Sequence, residues 1–238
     1  MQHINQTETV LHADWARDGA RLSQQNLRVR GGYWDQFYSS KQKINLQPPS
    51  QFAAFIASEY GSHPLFIDIG CGNGRDTLFF AQLGHETVGI DASSSAISLC
   101  QQSIPGDQKQ NHPFIVRDVM DLPDDSALIE MIRPRKKVIY SRFFLHAIDE
   151  AEETAFFDFA FESTKRDDII AIEFRSHLDE LTPKITQAHY RRYINPELLI
   201  NQVMNDYSAS LEYLACGLGM AKYKQDDAHV ARIVFRKT

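Results

Sequence analysis

Short apolar runs alternate with amphipathic segments over most of the chain after residue 50. The runs predicted as strands lie at 65–69, 86–91, 113–118, 136–143 and 167–174. Apolar residues recur at helical spacing in segments at 51–60, about 75–83, 94–103, 124–132 and 150–164, and from 196 onwards. Strands that alternate with helices are typical of a parallel sheet covered by helices on both faces.

The C-terminal part of the chain departs from this alternation. Residues 175–194 show no regular period, and two further strand-like runs, 210–223 and 230–237, are separated only by a polar turn. Because no helix fits between these runs, we predict a hairpin rather than a crossover. The predicted fold class is therefore α/β, a doubly wound and mostly parallel sheet with a C-terminal antiparallel hairpin.

We interpret residues 1–45 as an N-terminal helical and aromatic arm and residues 46–238 as the main domain. The arm has scattered apolar positions and then four aromatic residues between Tyr33 and Tyr38. Since aromatic side chains mostly serve burial, packing at an edge of the core is favoured over a lid that faces a ligand.

Composition and charge narrow the classes of partner. The 238 residues carry a formal net charge of −6, which gives no general attraction to nucleic acid or to an anionic membrane. No stretch approaches the roughly 20 apolar residues of a membrane span, and the first residues lack the pattern of a signal peptide. The three cysteines are widely spaced without metal-ligand pairing, so we expect a cytoplasmic protein without a metal site.

A glycine-rich turn, GCGNG, follows the first predicted strand and contains Gly70, Gly72 and Gly74. A buried strand, a glycine turn and a helix start are typical of nucleotide-binding α/β units. The glycine spacing here is not the G-x-G-x-x-G of dinucleotide sites, and Asp68 at the end of the strand would repel a phosphate. A cationic ligand would instead be attracted.

Acidic residues also end the second and third predicted strands. Asp91, which precedes Ala92, is placed to accept hydrogen bonds from both hydroxyls of a ribose. Asp118 is placed to accept from an exocyclic amine, and the N–H of Val119 can face a ring nitrogen. An adenosine that carries an amino group and a positive charge fits this set, which indicates S-adenosylmethionine as the cofactor.

Taken together, these motifs resemble the class I S-adenosylmethionine-dependent methyltransferases. DIGCGNG (68–74), GID (89–91), RDVMDLP (117–123) and VIYSRFFLHAI (138–148) are similar to four motifs of that family, in order. The resemblance covers about residues 50–238 and implies a Rossmann-like, seven-stranded sheet. The cofactor-binding positions that it implies are Asp68, Gly70, Gly72, Gly74, Asp91, Ala92, Asp118, Val119 and Tyr140.

The methyl acceptor is expected over the ends of the fourth and fifth strands. The predicted substrate-binding residues in that region and in the irregular segment are Arg142, Arg175, Tyr190, Arg191 and Arg192. A guanidinium group suits phosphate or carboxylate recognition, and the alternative is that these arginines form structural ion pairs with nearby acids.

Three residues are candidates for catalysis. His146 and His189 are candidate bases because imidazole titrates near neutrality, although a single histidine is more often structural. Glu173 has three alternative roles: it orients a histidine, accepts a hydrogen bond from the substrate, or pairs with Arg175.

A narrower resemblance concerns the acceptor. PPSQFAAF (48–55), YSRFFLHAI (140–148), EFRS (173–176) and HYRRYI (189–194) look like bacterial methyltransferases of capsule and O-antigen polysaccharide biosynthesis. This similarity implies O-methylation, on a hydroxyl or phosphate, of an anionic sugar or glycan precursor. The alternatives are a small-molecule methyltransferase of detoxifying or secondary-metabolic type, and a non-catalytic cofactor-binding module of a larger complex. No nucleic-acid substrate is expected.

Overall fold

The computed structural model describes residues 32–39, 48–104, 106, 110–183, 190–222 and 226–238. The helices are α1 (32–39), α2 (Gln51–Tyr60), α3 (Arg75–Gln82), α4 (Ser94–Ser103), α5 (Ser126–Ile132), α6 (Glu150–Ser163) and α7 (Pro196–Asp206). The strands are β1 (Leu65–Ile69), β2 (Glu86–Asp91), β3 (Phe114–Val116), β4 (Lys137–Arg142), β5 (Ile169–Arg175), β6 (Ala209–Gly217) and β7 (Val230–Lys237).

The seven strands form one sheet in the order β3-β2-β1-β4-β5-β7-β6. Strands β1 to β5 run parallel, whereas β7 is antiparallel to both β5 and β6. The predicted fold class, with its C-terminal hairpin, is confirmed. Strand order reverses between β1 and β4, and open α/β sheets bind ligands at such a switch point, beyond the carboxyl ends of the strands.

Helices cover both faces of the sheet, which explains why its central strands are continuous apolar runs. On one face, α2 and α3 pack against residues such as Phe66 and Val138. On the other face, α5, α6 and α7 share one large cluster with β1, β4, β5 and β7. Helix α4 packs beside β3 through a small cluster that contains Cys100 and Phe114. The sheet is therefore a rigid platform for the residues at its carboxyl edge.

Of the predicted N-terminal arm, only α1 is described, and the remainder of residues 1–45 lies outside the described residues. Within the described ranges, no helix combines the length and the apolar character needed to cross a membrane.

Candidate active site

A cavity of about 440 Å³ lies at the carboxyl ends of β1, β2 and β4, where the strand order reverses. Eight of the nine predicted cofactor residues line it: Asp68, Gly70, Gly72, Asp91, Ala92, Asp118, Val119 and Tyr140. Gly74 does not line it, and a Cβ atom there would lie 2.9 Å from Sγ of Cys100 and 3.1 Å from the ring of Phe114. The sequence motifs therefore converge on one site.

The glycine turn forms one wall of this cavity. The backbone N–H groups of Gly70 and Cys71 both donate to the carbonyl oxygen of Ile90, which holds the turn against β2. Gly70 has φ +72°, and a Cβ atom there would lie 2.4 Å from the ring of Phe144. Only glycine combines this backbone conformation with such a close approach. The turn is thus held by hydrogen bonds to β2 on one side and by the close approach of Phe144 on the other.

Asp68, at the end of β1, is buried in the floor of the cavity. Its Oδ2 accepts a hydrogen bond of 2.6 Å from the hydroxyl of Thr77 on α3. Burial raises the pKa of Asp68 to about 8, despite this hydrogen bond. A cationic ligand nearby would favour the ionised carboxylate, so the residue matches the positively charged end of a ligand.

Asp91 is the last residue of β2, Asp118 lies two residues after β3, and both line the same cavity. Each oxygen of Asp91 accepts one backbone hydrogen bond, from Gly72 N at 2.8 Å and from Ser93 N at 2.9 Å. A carboxylate has about four lone-pair sites, so the fixed group keeps capacity for ligand donors. Asp118 caps a short 3-10 helix by accepting from Met120 N at 2.9 Å.

Tyr140 is fully buried at the end of β4, where its hydroxyl donates to Asp76 at 2.9 Å. Ser50, the N-cap of α2, donates to the same carboxylate from its hydroxyl and its backbone N–H. Burial favours the neutral form of Asp76, but Arg142, Arg75 and the Ser50 hydrogen bonds outweigh it and lower its pKa. Asp76, in the first turn of α3, therefore joins α2, α3 and β4 beside the cavity.

Comparison with known families gives a match to the part of the chain that forms most of this cavity. Residues 66–167 match the model of a family described as a methyltransferase domain, and the match includes the glycine turn, Asp68, Asp91 and Asp118. The seven-stranded sheet has the fold of the class I S-adenosylmethionine-dependent methyltransferases, and residues 66–167 belong to a methyltransferase domain. Its cofactor is S-adenosylmethionine. No curated protein sequence matches the chain.

Solved methyltransferase structures share the fold at low identity. An S-adenosylmethionine-dependent methyltransferase from Anabaena variabilis gives a TM-score of 0.66 at 18% identity, over 87% of this chain and 93% of that chain. The glycopeptide N-methyltransferase MtfA, in complex with S-adenosylmethionine, gives a TM-score of 0.61 at 12% identity, over 83% of this chain and 98% of that chain. A protein from a study of thioacetal formation in echinomycin biosynthesis gives a TM-score of 0.62 at 17% identity, over 87% of this chain and 92% of that chain.

Among the predicted substrate-binding residues in the described part of the chain, only Arg142 lines the cavity. Its Nε donates to Oε1 of Glu173 at 2.7 Å, and Oε2 of Glu173 accepts from Arg232 Nε at 2.6 Å. The three residues lie directly opposite one another on β4, β5 and β7. Glu173, a predicted catalytic residue, is therefore buried between two guanidinium groups.

The other predicted substrate-binding arginines have protein partners. Arg175 is buried, and it donates to Asp179 at 2.8 Å and to Asp226 at 3.2 Å. Arg192 pairs with Glu153. Arg191 and Tyr190 are half-buried and do not line the cavity, and burial together with nearby Arg175 lowers the pKa of Arg191. For Arg175 and Arg192, this geometry corresponds to the alternative in which the arginines form structural ion pairs with nearby acids.

The structure describes one of the two candidate bases. His146 is buried behind the cavity wall, where its Nδ1 accepts from the backbone N–H of Arg175 at 3.2 Å. This bond leaves the ring proton of the neutral form on Nε2. His189 lies outside the described residues.

Phe143 is a cavity residue that sequence reasoning missed. It has φ +56°, in the left-handed region, and its backbone N–H donates to the carbonyl oxygen of Glu173 at 2.7 Å. The guanidinium carbon of Arg142 lies 4.1 Å from the ring centroid, within the range of a cation–π contact. Nothing in the local sequence predicts this conformation, because it depends on packing at the end of β4.

Proposed function

We propose that the chain transfers the methyl group of S-adenosylmethionine to an oxygen of a small acceptor that carries an anionic group. Arg142 supports this proposal, because it lines the cavity while its Nε donates to the buried carboxylate of Glu173. The sequence resemblance suggests a phosphorylated or carboxylated sugar as the acceptor class. An acceptor oxygen that is already anionic requires no base for direct displacement at the methyl carbon.

Arg142 belongs to a short row of charged residues on β4, β5 and β7. Arg142 and Arg232 carry two positive charges and Glu173 carries one negative charge, so this row has a net charge of +1. Asp76 is close, but Arg75 forms an ion pair with it at 3.3 Å. A net cationic group at the edge of a partly enclosed cavity favours a phosphate or carboxylate.

The cofactor would occupy the part of the cavity between the glycine turn and β3. Asp91 would accept from the ribose hydroxyls, Asp118 and the N–H of Val119 would contact the adenine, and Asp68 would lie near the charged end. S-adenosylmethionine supplies an electrophilic methyl group on a positively charged sulfur. The chain's own contribution is then to align the acceptor, which Arg142 and Phe143 would do by charge and shape.

A second candidate is methylation of an uncharged small molecule of secondary-metabolic or detoxifying type. The aromatic side chains of Trp34, Phe143 and Phe144 on the cavity favour it, as do the internal ion pairs of Arg175 and Arg192. The natural-product context of MtfA and of the echinomycin study is consistent with it. The two candidates differ in whether acceptor recognition depends on the charge of Arg142.

The test is methyl transfer from radiolabelled S-adenosylmethionine to matched panels of sugar phosphates, uronic acids and nucleotide sugars, and of neutral phenols, amines and thiols. We expect turnover with the anionic panel and, in Arg142→Met, a rise in KM of at least about tenfold, the worth of a charge-assisted hydrogen bond. Arg133→Met is the control, because Arg133 forms an exposed pair with Glu162.

Three outcomes are distinguishable in this experiment. Turnover of neutral acceptors that Arg142→Met leaves unchanged would favour the second candidate. Equal KM values for the parent and Arg142→Met with an anionic acceptor would contradict the role of Arg142. Binding of S-adenosylhomocysteine without turnover of any acceptor in either panel would favour a non-catalytic module.

A further inference from the structure

Helix α1 contributes a wall of the cofactor cavity although it precedes the methyltransferase domain in sequence. Trp34 and Tyr38, one turn apart, both line the cavity, and their rings stack with centroids 6.3 Å apart. The hydroxyl of Tyr38 lies against the glycine turn, where a Cβ atom on Gly72 would be 2.2 Å from it. Removal of α1 would therefore open the cavity beside the cofactor.

One carboxylate attaches this helix to the domain. Oδ1 of Asp35 accepts from the backbone N–H of Ser95 at 2.9 Å and from the hydroxyls of Ser93 at 3.1 Å and Ser94 at 3.3 Å. These donors form the N-terminus of α4, a ten-residue helix whose dipole favours an anion at this end. Asp35 thus acts as a cap supplied by another helix.

The fold of α4 does not depend on Asp35, because α4 has its own N-cap. The hydroxyl of Ser93 accepts from Ala96 N at 3.1 Å. The turn that Asp35 contacts also presents Asp91 to the cavity, since Asp91 accepts from Ser93 N and Gly72 N. Helix α1 therefore contacts the cofactor site through Tyr38 at Gly72 and through Asp35 at Ser93.

We propose that Asp35 is a positioning residue that docks α1 across the bound cofactor and thereby sets how slowly the cofactor product leaves. A ligand in the cavity contacts α1 and the domain together, so docking and binding stabilise each other reciprocally. Loss of the Asp35 contacts weakens docking without changing the residues at the end of β1, β2 or β3. The proposal depends on the use of S-adenosylmethionine and is independent of the acceptor.

The probe is S-adenosylhomocysteine, with the fluorescence of Trp34 as the readout. The chain has two tryptophans, so Trp15→Phe provides a background in which Trp34 alone reports. In stopped-flow displacement, we expect Asp35→Ala to release S-adenosylhomocysteine about tenfold faster, the effect of one lost helix cap. Asp35→Asn, which keeps an oxygen acceptor, should restore most of the slow release.

A matched control separates docking from general destabilisation. Asn195 caps α7 by accepting from Glu197 N at 2.9 Å and from Leu198 N at 3.3 Å, and it does not line the cavity. Asn195→Ala should release S-adenosylhomocysteine at the parental rate. A release rate in Asp35→Ala within twofold of the parent, or the same acceleration in Asn195→Ala, would overturn the proposal.

Hydrogen exchange provides a second measurement that needs no kinetic assay. We expect S-adenosylhomocysteine to slow exchange of the α1 amides in the parent and to do so much less in Asp35→Ala. Equal protection of α1 in both proteins would contradict docking through Asp35, even where the variant has lost stability.

Discussion

Arg142 and Glu173 lie directly opposite each other on neighbouring parallel strands, with Arg142 Nε 2.7 Å from Glu173 Oε1. Glu173 is buried, whereas Arg142 reaches the cavity. The carboxylate therefore orients the guanidinium group from behind. Its second oxygen binds Arg232, so removal of its charge would leave two arginines facing each other inside the protein.

The first prediction concerns Glu173→Gln, which keeps the shape and removes the charge. We expect a loss of about 3–5 kcal/mol in the free energy of unfolding, because breaking a buried ion pair leaves uncompensated charge. Urea denaturation measures it. Glu162→Gln, in an exposed pair with Arg133, should cost less than about 1 kcal/mol. Similar losses in the two variants would contradict the buried row of charges.

The second prediction concerns Arg175, one of the predicted substrate-binding residues. Asp179 is completely buried and Arg175 is its ion-pair partner, so Arg175→Met should destabilise the fold by about 3–5 kcal/mol. The affinity of the folded fraction for S-adenosylhomocysteine, measured by calorimetry, should remain within about twofold of the parent. Unchanged stability together with lost methyl transfer would instead support direct substrate contact.

The third prediction is a pH dependence caused by Asp68. Its pKa is about 8 in the folded chain and about 3.9 when unfolded, so the folded state binds more protons between these values. The contribution of Asp68 to stability therefore decreases as the pH rises from about 4 to about 8. Asp68→Asn does not titrate, so its stability relative to the parent should increase over this range, by on the order of 3–5 kcal/mol.

Urea denaturation at several pH values between 4 and 9 checks this. The same variant should bind S-adenosylmethionine more weakly, since it lacks the carboxylate that we propose lies near the charged end of the cofactor. A stability difference between parent and Asp68→Asn that does not change with pH would contradict the raised pKa.

The fourth prediction compares two glycines with positive φ. Gly84→Ala, at φ +89° with no atom within 4 Å of the new Cβ, should cost about 1–2 kcal/mol through backbone strain alone. Gly70→Ala adds a clash with Phe144 and should cost more, with loss of S-adenosylhomocysteine binding. Thermal unfolding and calorimetry measure both. If Gly70→Ala binds normally and is no less stable than Gly84→Ala, the close approach to Phe144 is incorrect.

The sequence by itself determined the sheet, the cofactor and the convergence of eight of the nine predicted cofactor residues on one cavity. The reason is that each of these signals is local. An apolar run, a glycine turn and an acid at the strand end lie within a few residues of each other, and parallel strands bring their carboxyl ends to one edge of the sheet. Asp68, Asp91 and Asp118 could therefore be assigned to one site without coordinates.

Tertiary structure decided the partners of the arginines and the position of α1. Glu173 and Arg232 are 59 residues apart and meet only through the register of β5 and β7, which no local pattern encodes. The aromatic residues between Tyr33 and Tyr38 predicted packing at an edge of the core. Instead, Trp34 and Tyr38 line the cavity, because Asp35 docks α1 on α4. Contacts between distant segments depend on register and docking, and these are properties of the folded chain.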